Sequence, residues 1–292
     1  RRALGILEIY RLAGGGLIVS GLAYAALFAL IPAFAMVVAV IYIITDDPEV
    51  QREAIDLINR ALPAFEDVLE PVVDQATRLA GFGGIAVLRA FGWGASSLYL
   101  NLQRAMERFF PGKRRSGTVA RIIGVVLVLL VTFGVLAALF VSGVLTVVAQ
   151  IVGVDPDWLI SVVGALVVLL LSTFVVYGVY RVMPADPPTP RSARLPAALV
   201  GVFVSAMTLL YGQISPWLVS GWQEFGVMAS VFVALIWLRA FFLALIFGAA
   251  AARYRDLVRA AADMGVDEPD AAATMQLMAG EAQRAEDEDD AR

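Results

Sequence analysis

From Ile122 to Val154 the chain carries no charged residue. A run of that length leaves no polar face for water, so it constrains the fold more than any other feature of the sequence. A bilayer core takes about 20 apolar residues per helix, within a range of roughly 17 to 25. Segments 17–44, 122–150, 158–183, 195–215 and 226–251 meet that requirement easily. Residues 81–103 form a sixth, weaker span, interrupted by glycines and by Arg89. Composition agrees: 60% of the 292 residues are hydrophobic and 16% charged, more apolar surface than a soluble domain of this size hides. The expected fold class is all-α, a polytopic membrane protein with six transmembrane helices.

Basic residues set the orientation, because cytoplasmic loops are enriched in them. Arg1, Arg2 and Arg11 precede the first span, and Arg104, Arg108, Lys113, Arg114, Arg115 and Arg121 follow the second. Arg181, Arg191 and Arg194 follow the fourth, and Arg253, Arg255 and Arg259 follow the sixth. The intervening loops "GVDPDW" and "SPWLVSGWQEF" contain no basic residue, and 45–80 holds nine acidic residues against three arginines. Six spans with both termini cytoplasmic satisfy every loop. Residues 1–16 lack the apolar core and cleavage site of a signal peptide, so none is expected.

Outside the bilayer, helical spacing of Phe65, Val68, Leu69, Val72, Val73, Ala76, Leu79 and Ala80 predicts an amphipathic helix. A shorter apolar-patterned piece, Val50 to Leu62, precedes it, and Pro63 separates the two. Residues 46–80 thus read as an outer amphipathic helical hairpin: a packing cap, a lid, or a partner-docking element. The transmembrane domain is expected to span 1–255. Residues 256–292, ending "EAQRAEDEDDAR", read as an acidic, largely disordered cytoplasmic tail.

Within the spans, small residues mark close helix packing, since lipid supplies no hydrophobic drive between helices. Ala240, Ala244, Gly248 and Ala252 recur at four-residue spacing, and Gly201, Ser205, Thr208, Gly212 and Ser215 share one face. Pro32 removes a hydrogen bond inside the first span and predicts a kink there, whereas Pro196 near a helix start is tolerated.

Two arginines need a physical explanation. Arg239 lies near the middle of the sixth span, and Arg89 lies inside the second. A guanidinium at a helix centre costs about 2.5–3.5 kcal/mol on the insertion scale. Arg239 is about a dozen residues from either end, roughly 18 Å at the helical rise, too far to snorkel; Arg89 is closer to the outer end and reaches it in part. No span contains an internal Asp or Glu. Water, backbone carbonyls, the Tyr24, Tyr177 and Tyr211 hydroxyls, Trp faces or an external anion remain as partners. At 3.6 residues per turn Arg89 shares a face with Trp93, Ser96, Gln103 and Glu107. A cationic interior without counter-charge suits an anionic ligand such as a phosphate-bearing lipid headgroup; arginines bound to carbonyls and water are the alternative.

Much chemistry is excluded or disfavoured. The chain has no cysteine and no histidine, which removes disulfides, thiolate nucleophiles, imidazole bases and Cys/His zinc sites. "PGKRRSG" lacks the upstream glycine and the hydroxyl residue of a Walker A loop. Acidic residues cluster only in 46–74 and in the tail, away from any expected pocket. No enzyme activity, metal, cofactor or nucleic-acid partner is expected; the basic loop "RFFPGKRRSG" suits positive-inside topology and anionic lipid.

Several stretches together resemble the YihY/BrkB family of bacterial inner-membrane proteins. They are "SGLAYAALFALIPAF", "GWGASSLYLNLQRAMERFF", "YRVMP", "RLPAALVGVFVS" and "FGVMASVFVALIWLRAFFLALIFGA", which run in order between residues 14 and 255. The resemblance implies a six-span protein of the bacterial inner membrane, formerly misnamed ribonuclease BN, and associates it with envelope lipid handling. It supplies no catalytic residue. The chain departs from the family pattern at Ala250, where the family carries glutamate, at Arg239, where it carries tyrosine, and at Glu107, where it carries asparagine. The functional expectation is a transporter or flippase-like carrier for an anionic lipid or lipid-linked envelope component. Arg239 and Arg89 would bind its headgroup, with Trp93, Ser96 and Gln103 lining the path. The alternative is a non-transporting structural or interaction protein of the cell envelope. Expected partners are anionic membrane lipids, with a homo-oligomer or other envelope proteins also open.

Overall fold

The computed structural model describes residues 2–45, 47–49, 51–52, 83–111, 156–221 and 227–263. Regular structure among them is entirely helical: α1 (Arg2–Leu12), α2 (Gly15–Ile44), α3 (Gly83–Phe109), α4 (Pro156–Val182), α5 (Pro190–Gly221) and α6 (Val227–Asp263). Five of the expected spans fall on α2 to α6. The expected span 122–150 and residues 264–292 lie outside the described residues, as does the outer hairpin apart from 47–49 and 51–52.

Among the described residues, length and apolarity qualify two stretches to cross a bilayer, Val162–Val182 and Val231–Ala262. A third exists if α1 and Gly15–Leu30, which meet at 62°, form one broken span. Their bend has a local cause. Gly14 adopts φ 71°, the left-handed conformation that ends helices at little steric cost to glycine, and its N–H donates to the Arg11 carbonyl at 3.0 Å.

The chain separates into two compact units. One comprises Arg1–Gly16, Gln103–Ala206 and Leu243–Arg292; the other comprises Leu17–Leu102 and Met207–Phe242.

Close approach at small residues organises the first unit. A Cβ at Gly201 would lie 2.9 Å from both the backbone N and Cα of Thr173, so α4 and α5 touch backbone to backbone there. Gly248 of α6 lies against the Tyr180 hydroxyl and the Val200 side chain. Fully buried Tyr180 donates its O–H to the Leu245 carbonyl at 2.7 Å, a partner that an apolar setting makes necessary. Ser205 satisfies itself by donating to the Gly201 carbonyl one turn back, 2.9 Å away. α1 packs in this unit as well: Ile9 is buried and Gly5 lies under the Tyr254 ring. α6 stays helical past its apolar stretch because Leu257 and Ala261, one turn apart, remain buried.

The start of α5 is set by Thr189 and Pro190. The Thr189 carbonyl accepts from the Ser192 and Ala193 N–H groups, and Pro190 takes the first helical position, where its missing donor costs nothing. Asp256 of α6 caps the same end. Its Oδ1 accepts from the Thr189 N–H at 3.1 Å and from the Thr189 hydroxyl at 2.8 Å. A carboxylate at a helix N-terminus is further favoured by the helix dipole. Arg259 donates to the buried Ser192 hydroxyl at 3.1 Å, and Arg181 donates to the Pro188 carbonyl at 2.6 Å.

Candidate functional site

Arg239 lies in the second unit, thirteenth along α6, and no other charged residue occurs between Val227 and Ala252 of that helix. Met228, Phe232 and Ile236 are exposed, and at 3.6 residues per turn they line one stripe of α6. Arg239 falls on that stripe and is itself exposed. The opposite side of the helix, Val233, Ala234 and Leu238, is buried. Pattern therefore puts the guanidinium where a lipid-facing or ligand-facing residue belongs, away from the packed interior.

One contact orients it. The Arg239 Nη1 donates to the Ser20 hydroxyl of α2 at 3.1 Å, and among the described residues this is its one hydrogen-bond partner. The bond joins residues 219 apart in sequence. A guanidinium has five N–H donors, so a single hydroxyl leaves most of them available. Beside Ser20, α2 presents its own exposed face: Leu17, Gly21, Tyr24 and Phe28, spaced at helical intervals. Tyr24 is 59% exposed, and its ring rests at 5.4 Å from that of Phe28. A Cβ at Gly21 would meet no atom within 4 Å, so the backbone there is bare.

The α3 residues have a different setting. Arg89, Trp93 and Ser96 form an exposed stripe on α3, continued by Leu100, with Trp93 at 75% exposure. Among the described residues no hydrogen bond or ion pair engages Arg89, and none connects this stripe to Arg239. Gln103 belongs to the first unit, where its Nε2 donates to Glu107 Oε1 at 3.1 Å. Arg89, Trp93 and Ser96 thus share one exposed stripe of α3. Leu102, Ala105, Met106 and Phe109 supply the buried side.

Ser20 is the residue the sequence argument overlooks. Its signal was a hydroxyl inside the apolar stretch "SGLAYAALFALIPAF", but which helix neighbours α6, and at what level, is not written in local spacing. Among the described residues no cluster of three or more Asp, Glu, His or Cys side chains has metal-ligand geometry. On this face the structure places a guanidinium and a hydroxyl within hydrogen-bond distance.

The model of the family described as virulence factor BrkB matches residues 7–272. No curated protein and no solved structure matches the chain. A match across nearly the whole chain, on a helical protein with bilayer-length apolar stretches, makes this chain a membrane protein of the virulence factor BrkB family, also called YihY/BrkB.

Proposed function

We propose that this protein carries an anionic lipid, or a lipid-linked envelope component, across the bacterial inner membrane. In this reading the chain crosses six times, with α2 to α6 and the 122–150 segment as spans and both termini cytoplasmic. No enzymatic step, cofactor or nucleic acid takes part. The observation that carries the reading is the placement of Arg239: exposed on an apolar stripe, held by the Ser20 hydroxyl, and without a carboxylate partner among the described residues. A guanidinium that far along an apolar helix is costly unless water or an anion answers it. A lipid headgroup drawn against it recovers that cost while its acyl chains stay beside Phe232 and Ile236. Arg89, Trp93 and Ser96 would offer a second polar track on α3.

Reconstitution tests this directly. Vesicles containing the purified protein should move a fluorescent phosphatidylglycerol between leaflets faster than empty vesicles, and Arg239→Gln should slow the movement at least several-fold. Equal rates in empty and loaded vesicles would exclude the carrier reading. A second reading draws on Trp93, whose 75% exposure suits a partner helix, whether a second copy or another envelope protein. That structural role predicts a stable complex lost on Trp93→Ala, with no lipid movement.

A further inference from the structure

The carrier reading leaves α1 without a task, and two contacts fix the depth of that helix. A Cβ at Gly5 would lie 2.6 Å from Tyr254 Cε2, and the Tyr10 ring rests 5.8 Å from that of Phe247. No charged residue occurs between Arg239 and Arg253 of α6, and Arg255, Asp256 and Arg259 follow. Phe247 and Tyr254 thus bracket the point where α6 passes from apolar to charged. They lie seven residues apart, roughly 10 Å along the axis at the helical rise. That matches an interfacial layer, in which helices sit about 5–10 Å into the boundary between headgroups and acyl chains. The 11 residues of α1 reach only about 16 Å, roughly half of a ~30 Å hydrocarbon core, so α1 does not cross the bilayer alone.

The side of α1 turned away from α6 is amphipathic in a particular way. At 3.6 residues per turn Leu4, Leu7 and Arg11 share one face, and all three are exposed, Leu4 at 67%. Exposed Leu12 adjoins them, and Gly5, Ile9 and Ala13 form the buried side. A second guanidinium stands at the same end: Arg108 Nη1 lies 3.6 Å from where a Cβ on Gly14 would be. Arg108 is exposed too, and among the described residues neither the Arg11 nor the Arg108 guanidinium makes a hydrogen bond or ion pair. Leucines beside arginines fit an anionic bilayer surface, where arginine stems lie along acyl chains and their heads reach phosphates.

We propose that α1 is an interfacial helix that docks this end of the protein onto anionic lipid. Leu4, Leu7 and Leu12 enter the acyl boundary, and Arg11 and Arg108 hold headgroup phosphates. The role stands apart from lipid carriage, because α1 and Arg239 belong to different units.

The chain has no cysteine, so Leu7→Cys accepts a single environment-sensitive dye. The labelled full chain in phosphatidylcholine vesicles is exposed to three quenchers: a nitroxide near the headgroup, a nitroxide at the acyl-chain end, and aqueous iodide. The shallow nitroxide should quench at least about twofold more than either of the others. Carried on phosphatidylglycerol, it should quench about twofold more than on phosphatidylcholine at equal mole fraction, since basic residues gather anionic lipid. Raised salt should weaken that preference in the unsubstituted background. Arg11→Gln should reduce it, and Arg11→Gln with Arg108→Gln should abolish it while the shallow depth persists. Strongest quenching by iodide would place the face in water. Strongest quenching by the chain-end nitroxide would make α1 one limb of a broken span, and protection from all three would mean that protein covers it. Each of these outcomes overturns the proposal, as does a phosphatidylglycerol preference that is absent or survives both salt and the arginine substitutions.

Discussion

Gly248 gives the sharpest stability prediction, because its surroundings specify both the damage and its repair. A Cβ added there lands on the Tyr180 hydroxyl and on Val200 Cγ2, with Tyr180 Cζ at 3.3 Å. Tyr180 is fully buried and its hydroxyl is tied to the Leu245 carbonyl at 2.7 Å, so it has little room to move. Gly248→Ala should therefore cost about 1–3 kcal/mol from overpacking. Displacing the Tyr180 hydroxyl from its carbonyl adds about 1 kcal/mol. Better helix propensity of alanine returns up to about 1 kcal/mol. A net loss of about 1–3 kcal/mol corresponds to a drop of roughly 2–12 °C in melting temperature for a chain of this size. The assay is a thermal melt in detergent followed by intrinsic fluorescence. Tyr180→Phe alone should cost about 1 kcal/mol. Combined with Gly248→Ala it removes the principal clash, so the double variant should melt above the sum of the two single losses. Gly21→Ala is the control: nothing lies within 4 Å of its added Cβ, and its melting temperature should hold or rise. Gly248→Ala matching Gly21→Ala, or strict additivity with Tyr180→Phe, would refute the close-packing argument.

Gly14→Ala forces a Cβ into φ 71° while leaving it 3.6 Å from Arg108 Nη1, so the loss is conformational and should be about 1–2 kcal/mol in the same melt. Asp256→Ala removes both acceptor contacts at the start of α5 and should cost about 1–2 kcal/mol, whereas Asp256→Asn keeps an acceptor oxygen and should cost less. Hydrogen exchange at the Thr189 amide checks the second, accelerating in the alanine variant and changing less in the asparagine one.

Much of the helical framework is legible before any coordinates. Apolar runs placed α2 and α4 within two residues of their observed limits and found the start of α6, because helix length in lipid is set by the bilayer rather than by neighbours. α5 runs five to six residues further at each end and α6 twelve residues further at its C-terminus. Small-residue spacing picked out Gly201 and Gly248, and both lie in close contacts, the first against the Thr173 backbone and the second against the Tyr180 and Val200 side chains. α1 escaped notice. "RALGILEIYRL" has neither a bilayer-length apolar run nor a strong amphipathic stripe, and its burial depends on Tyr254 lying across Gly5. The extension of α6 through Asp263 was likewise hidden, since Leu257 and Ala261 are buried only by neighbours the local pattern does not name. Within the candidate site, helical period aligned Arg89, Trp93, Ser96, Gln103 and Glu107 on one face of α3, and the last two are joined there by a 3.1 Å hydrogen bond.

By itself the sequence determined that this is a helical membrane protein with charge stranded in an apolar span, because hydropathy, charge placement and the lack of Asp or Glu within the apolar spans are one-dimensional facts. It could not determine what answers the charge. Pairing Arg239 with Ser20 across 219 residues, and turning both the α6 and the α3 stripes outward, were decided by which helices pack together. Helical period ranks the faces of a single helix; only tertiary packing says which face meets protein and which is left for a ligand.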